Sequence, residues 1–485
     1  MLNPTQLNLK GKLKFLLKDS FVYGFANAFT KLAFLLVFPL LTRFFSVEEF
    51  GLIDTLTVLS FFLINTLTFG QDSAVIRFFY DHEKDEEKKQ TISESFTILA
   101  IGVATFIPVL LLFSSQLSDY YFRSDSNYSE LVKLVLYQVP LGIVINFVAN
   151  VLRLQFKKKQ FLIVTLGSTM SYIIGLLIAI TLFAPTVYNV LQIMLFSRGV
   201  FAIVGIILIK NWLDISFKFK YLKQLLVYAI PYGIICTADS FLPTLDRYFI
   251  GVFFTPHHLG LYAAGYKVAL LIQLPIQAFQ AAWVPFYTSM IKARDSSETY
   301  RSVAIFFTCI LTVAVLTIIL FGNDFLTILA SSKYASAEII ILPIVLGLAF
   351  KSIGSVFSIG IDISKKSYLK IYGYIIGILF SVLFVNQTAN NSGFWVISVG
   401  FMIGLLINTV LTSILSHRVH KIDFNYWKSF YLMIIVMIIG FIMQFQNIIL
   451  FQEFPILKVL IIVFYMIFIW TTQLKSEIDK MNSKS

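Results

Sequence analysis

Apolar tracts of about 20 residues recur along the chain from near Ser20 to near Thr472. Each is long enough to cross a hydrocarbon core about 30 Å thick as a helix. The pattern predicts spans over 20–42, 50–71, 93–114, 131–152, 161–183, 188–209 and 225–246, then 260–288, 302–322, 338–359, 368–386, 394–415, 429–445 and 456–473. The expected fold is therefore an all-α integral membrane protein with about fourteen transmembrane helices. The longest polar stretches, 77–90 and 116–130, are too short to carry a globular core of their own. Any chemistry is expected inside the helical bundle.

Composition agrees with this pattern. Hydrophobic residues make up 58% of the chain and charged residues 13%, a balance far from that of chains whose surface faces water. Cys236 and Cys309 both fall in apolar tracts and read as packing residues rather than a disulfide framework. The first tract follows Lys10, Lys12, Lys14 and Lys18. It is too long for a signal-peptide core and lacks a small-residue cleavage site, so it is expected to remain as the first helix.

Lysine and arginine give the orientation, because they are retained on the cytoplasmic side of short loops. With the N-terminus inside, basic residues crowd the tail and the segments 77–89, 153–159, 210–223, 292–301, 365–370, 418–428 and 475–484. The outer segments hold only Arg43, Arg123, Lys133, Lys333 and Lys458. Both termini are thus expected in the cytoplasm, and the net charge of +12 is largely a record of topology. Nucleic acid is not an expected partner, since no exposed fold carries a clustered basic patch with interleaved aromatics.

The chain also repeats. An offset of 209 residues pairs Phe44, Phe45, Ser46, Gly51 and Leu52 with Phe253, Phe254, Thr255, Gly260 and Leu261, without a gap. The same offset brings Tyr23 and Gly24 onto Tyr232 and Gly233, and Gln71 onto Gln280. Six predicted spans precede the restart, so both halves enter the membrane from the same face and form a parallel repeat. The expected organisation is an N-terminal lobe over 1–215, a C-terminal lobe over 216–420, and two further helices with a tail over 421–485. Two such lobes would enclose a cavity that opens to either side by rocking.

The segment 38–51, Phe-Pro-Leu-Leu-Thr-Arg-Phe-Phe-Ser-Val-Glu-Glu-Phe-Gly, resembles the opening signature of polysaccharide flippases of the Wzx type, within the multidrug/oligosaccharidyl-lipid/polysaccharide exporter superfamily. Tyr228-Ala229-Ile230-Pro231, Asp246-Arg247 and the run from Gly260 to Lys267 are similar to that family's counterpart region. The resemblance covers roughly 15–420. It implies translocation of a polyprenyl-pyrophosphate-linked oligosaccharide from the inner to the outer leaflet of a bacterial inner membrane, for O-antigen, capsule or exopolysaccharide assembly. Membrane lipid, and a polysaccharide polymerase with other assembly proteins, are the implied partners. No cofactor is expected.

Ionisable groups at bilayer depth are costly and mark the candidate site. The basic ones are Lys31, Arg198, Arg247, Lys267 and Lys351. A cation-lined cavity suits a pyrophosphate and acidic sugars, and arginine's planar fork binds phosphate oxygens in pairs. Lys31 and Arg198 lie about 15 Å into their spans at 1.5 Å per residue, too deep to escape to the interface. Lys31, Arg198, Arg247 and Lys267 are the expected substrate contacts. For Arg247, pairing or snorkelling competes with that role; for Lys351 snorkelling leads. The main intramembrane acid is Asp239, which the 209-residue offset places on Thr30, beside Lys31. Asp239 is therefore expected to act in coupling or gating, either by pairing with Lys31 in one state or by binding a proton or sodium ion. Reversing both charges should then restore transport lost in each single reversal.

Other features read more plainly. The mixed-charge run 81–89 is a solvated loop, and His257 with His258 lacks the further ligands a metal site needs. Most of the abundant aromatics are expected to pack or face lipid, with some cavity tyrosines free to stack on sugars. There is no glycine-rich phosphate loop, no metal-ligand cluster and no nucleophile at recognisable distance from a base, so the chain does not read as an enzyme. An ion-coupled multidrug or small-molecule antiporter of the same superfamily is the competing reading, which more acidic cavity residues would favour.

Overall fold

A computed structural model describes residues 33, 36–122, 128–214, 219–291, 296–445 and 455–475. Among these residues 13 helical stretches are long and apolar enough to cross a membrane. They coincide with the second to fourteenth predicted tracts. The first tract, 20–42, lies largely outside the described residues, and its end is seen as helix α1 over 36–44.

The chain divides into two compact units, Met1–Val252 and Phe253–Ser485. The first contains α2 (Val47–Thr68), α3 (Gln71–Asp81), α4 (Asp85–Leu112), α5 (Ser114–Phe122), α6 (Ser129–Leu154), α7 (Lys158–Leu182), α8 (Val187–Ile209) and nearly all of α9 (Leu222–Phe253). The second contains α10 (Pro256–Ala269), α11 (Gln273–Met290), α12 (Ser296–Leu320), α13 (Gly322–Leu329), α14 (Glu338–Phe357), α15 (Ile359–Ile363), α16 (Leu369–Thr388), α17 (Trp395–Val419), α18 (Tyr426–Phe445) and α19 (Pro455–Ile469). The expected lobe boundary lay before α9; packing groups this helix with the first unit.

The internal repeat is written into the helix boundaries. Shifting by 209 residues carries the end of α1 at 44 onto the end of α9 at Phe253. It carries the start of α2 at Val47 onto the start of α10 at Pro256, and the start of α6 at Ser129 onto the start of α14 at Glu338. Local chemistry explains the conserved start. Ser46 caps α2 by accepting from the Glu49 amide at 3.1 Å, while the Glu49 carboxylate accepts from the Ser46 amide at 2.9 Å, a reciprocal arrangement that satisfies two helix-end donors. Thr255 holds the equivalent position before α10, with Pro256 at the first helical residue. His258 stands where the first repeat has Glu49, its Nδ1 2.8 Å from the Thr255 hydroxyl. His258 is accounted for by this helix start; among the described residues no group of three or more His, Cys, Asp or Glu is placed to hold a metal.

The second span of each repeat is broken. Phe69 and Gly70 both adopt left-handed backbone between α2 and α3 (φ 44° and 72°), and a 3-10 turn over Leu270–Ile272 separates α10 from α11. Burial differs between helices: 83% of the α14 window is buried, which makes it the core of its unit, against 17% for α4. Leu112, Phe183 and Phe464 stand exposed on such outward faces, as expected where lipid is the solvent and a helix can be apolar all round.

Candidate functional site

In the first unit the deep arginine predicted on α8 is held among polar groups. Arg198 donates from Nη1 to Ser60 Oγ on α2 at 3.0 Å and to Gln138 Oε1 on α6 at 3.2 Å. Gln138 is fixed in turn by donating to the Leu191 carbonyl at 3.0 Å. Ser60 and Gln138 are each 1% exposed. Small residues make room: a Cβ on Gly142 of α6 would meet Ile64 Cδ1 at 2.4 Å, with Arg198 Nη1 at 3.9 Å. The hydrogen-bond partners of this guanidinium among the described residues are thus neutral. Two neutral acceptors leave most of its five N–H donors and its full charge available.

Arg247 is placed differently. It is 1% exposed, and its Nε and Nη2 donate to Asp54 Oδ2 on α2 at 3.2 and 2.9 Å, while Nη1 reaches the Pro243 carbonyl at 3.3 Å. Asp54, itself 2% exposed, is thus a carboxylate partner of this guanidinium. Asp54 was not among the predicted site residues. It lies only two turns inside α2, where an acid reads as an end residue, and its partner is 193 positions away.

The ion pair is one of several clamps between α9 and the first repeat. Tyr248 stacks on Tyr120 of α5 with centroids 4.3 Å apart. A Cβ on Gly251 would fall 2.0 Å from the Tyr121 carbonyl, and one on Gly233 would fall 2.8 Å from the Phe69 carbonyl, so both positions require glycine for the helix to seat. Glu94 of α4, 3% exposed, accepts from the backbone amides of Lys220 and Tyr221 at 2.8 and 2.7 Å, pinning the segment that enters α9. Sequence reasoning overlooked Glu94, because it sits near the start of a long apolar run beside a charged loop. Asp239 is half-buried midway along α9. Lys31, its expected partner, lies outside the described residues.

In the second unit Lys267 is half-buried near the end of α10. Lys351, on α14, lines a polar cavity of about 160 Å³ together with Gln273, Gln280, Ser355, Asn408 and Thr412. Helices α11, α14, α16 and α17 supply this lining. Lys458 of α19, 8% exposed, pairs with Asp324 of α13 and ties the additional C-terminal helix to its unit.

A family model described as polysaccharide biosynthesis protein matches residues 16–291. It spans both segments that carry the sequence resemblance. Two curated relatives come from Haemophilus influenzae. Lsg locus putative protein 1 is 24% identical over 284 residues, covering 57% of this chain and 67% of the relative. An uncharacterized membrane protein is 25% identical over 283 residues, covering 57% and 66%. The matched part thus spans about two thirds of each relative. Among solved structures, the lipid II flippase MurJ in an inward closed conformation superposes with a TM-score of 0.73 at 14% identity, covering 94% of this chain and 99% of that one. An inward-facing multidrug resistance MATE family transporter of the MOP superfamily superposes with a TM-score of 0.67 at 16% identity, covering 80% and 94%. At these identities the likeness is one of fold, and it is a fold of membrane transporters.

Proposed function

The chain belongs to the polysaccharide biosynthesis protein family, and on that premise we propose that it is a flippase for polyprenyl-pyrophosphate-linked oligosaccharide repeat units. It carries them from the cytoplasmic to the outer leaflet of a bacterial inner membrane, with both termini in the cytoplasm, for assembly of a surface polysaccharide. The observation that supports this most directly is Arg198, a membrane-embedded guanidinium whose hydrogen-bond partners among the described residues are neutral. A half-buried cation with no carboxylate partner among the described residues is costly to retain in a membrane, and an anionic headgroup relieves that cost by supplying acceptors to its remaining donors.

Arg198 binds the pyrophosphate in this scheme, with Lys31 and Lys267 as further cations along the path. Arg247 is held by Asp54 in the present state, so its part is to latch α9 and to become available to substrate only when that pair separates. Asp239 serves coupling or gating. Alternating access follows from the parallel repeat, each state favoured by the contacts it alone makes. Membrane lipid and a polymerase acting on the translocated unit are the partners.

The test is deletion of the gene in its native host, followed by lipid extraction and leaflet-specific labelling. Build-up of lipid-linked oligosaccharide in the inner leaflet, relieved by the wild type and by Arg198→Lys better than by Arg198→Met, is the expected result. Unchanged lipid-linked sugar would overturn the flippase and favour the small-molecule antiporter.

A further inference from the structure

Two arginines of the first unit take opposite partners from one helix. Helix α2 meets Arg247 with a carboxylate, Asp54, and meets Arg198 with a hydroxyl, Ser60. The second acceptor of Arg198 is also neutral, the Gln138 side-chain oxygen on α6 at 3.2 Å. Both hydrogen bonds leave from Nη1 and occupy its two N–H groups, so the donors on Nε and Nη2 are not spent on them. Arg198 is half-buried, whereas Arg247 is 1% exposed.

Gln138 is turned toward the arginine by its own partner. Its Nε2 donates to the Leu191 carbonyl at 3.0 Å, and a carbonyl can only accept, so Oε1 is the end that faces Arg198. Leu191 lies about two turns before Arg198 on α8, which makes Gln138 a brace between two points of that helix. An acid at this position would set a carboxylate oxygen against the Leu191 carbonyl.

The three residues are replaced as a set in the second repeat. The 209-residue offset carries Ser60, Gln138 and Arg198 onto Ala269, Gly347 and Ile407. There the packing is direct: Ala269 is 0% exposed, and a Cβ on Gly347 would lie 3.1 Å from Met402 Cα. Where the cation is missing, both of its acceptors are missing too, and the helices pack without them. The amide and the hydroxyl thus go with the guanidinium rather than with the fold of the repeat.

We infer that Gln138 is a positioning residue for anion recognition by Arg198: it holds the guanidinium through a neutral oxygen and leaves its charge and outer donors for a pyrophosphate. The inference rests on the flippase reading for the identity of the anion, and it deepens that reading by giving the reason the acceptor is an amide. A carboxylate in the same place would grip the guanidinium as Asp54 grips Arg247, and would cancel the charge that draws the anion. A residue that only tied α6 to α8 would have no need to be neutral.

The experiment is a titration of the full-length protein in lipid nanodiscs with undecaprenyl pyrophosphate, and with undecaprenol as the uncharged comparison, followed by the shift in thermal unfolding. Wild-type protein is expected to be stabilised by the pyrophosphate lipid and not by the alcohol. Gln138→Glu should weaken that binding by about tenfold or more, to the level of Arg198→Met, because the guanidinium then has an internal anion. Its melting temperature without ligand should stay the same or rise. Gln138→Met keeps the charge and the Ser60 contact, so it should weaken binding by only about threefold while lowering the melting temperature. Binding and stability moving in opposite directions in Gln138→Glu is the signature that a packing role would not produce.

A folded Gln138→Glu that binds like the wild type, or a Gln138→Met that loses as much as Gln138→Glu, overturns the inference. If Gln138→Glu does not fold, the cycle of Gln138→Met and Arg198→Met decides: the losses in binding should be non-additive, and additive losses overturn the inference. Wild-type protein that binds the pyrophosphate lipid no better than undecaprenol overturns it as well. With a normal leaflet assay, any of these failures removes only the Arg198 contact and its brace, whereas failure of the leaflet assay sinks the flippase reading itself.

Discussion

Asp54→Asn removes the carboxylate that receives two N–H groups of Arg247, and leaves a guanidinium 1% exposed inside the bundle. Removing one partner of a buried ion pair costs about 3–5 kcal/mol, because the surviving charge stays desolvated without compensation. At about 1.4 kcal/mol per tenfold, that is a loss of two to nearly four orders of magnitude in the stability of the clamped arrangement. The two single variants should not be equal. In Arg247→Met the orphaned carboxylate can discharge by taking up a proton, whereas the guanidinium left by Asp54→Asn cannot lose one. Asp54→Asn is therefore expected to be the more damaging, and the double variant to recover most of the loss, with a coupling of about 2 kcal/mol or more in the double-mutant cycle. Thermal unfolding of the purified protein in nanodiscs supplies the four values. A second readout is labelling of Tyr248→Cys, in a background lacking Cys236 and Cys309, by a membrane-impermeant maleimide. Release of α9 should raise the labelling rate in Asp54→Asn. Additive single effects, or an Asp54→Asn protein within about 0.5 kcal/mol of wild type, would show that the pair does not hold α9.

Three further outcomes follow from the packing. Gly251→Ala drives a methyl into the Tyr121 carbonyl, and Gly233→Ala does the same at Phe69, so each should lose about 1–3 kcal/mol by overpacking. Gly102→Ala, with nothing within 4 Å of the added carbon, should be neutral or stabilising by up to about 1 kcal/mol, and melts of the three proteins separate close approach from helix propensity. Glu94→Gln exchanges charge-assisted hydrogen bonds to two backbone amides for weaker neutral ones, at a cost of about 1–2 kcal/mol; limited trypsin digestion should cut faster at Lys220 and Lys223, and an unchanged digest would mean that the segment is held by something else. Arg198→Lys keeps the charge but not the fork, so it should retain more transport in the leaflet assay than Arg198→Met, and equal loss in both would leave the pyrophosphate contact without support.

Much of this molecule was decided by its solvent and could be read along the chain. Lipid offers no hydrogen bonds to a bare backbone, so each crossing must be a helix of a set length, and thirteen of the predicted tracts appear as such helices among the described residues. The repeat was legible for a related reason: Ser46 with Glu49, and Thr255 with His258, act within a single turn, so their pairing is local and leaves a mark at fixed spacing. Residues that act across the fold left no such mark. Asp54 gains its meaning only from Arg247, 193 positions later, and Glu94 only from the amides of Lys220 and Tyr221. Lys351 shares a cavity with residues of α11, α16 and α17 that lie far from it along the chain. Burial and partnership are properties of the space between helices, which the one-dimensional pattern of apolar residues does not contain, and it is there that the tertiary structure alone chose which charges are locked and which face an open cavity.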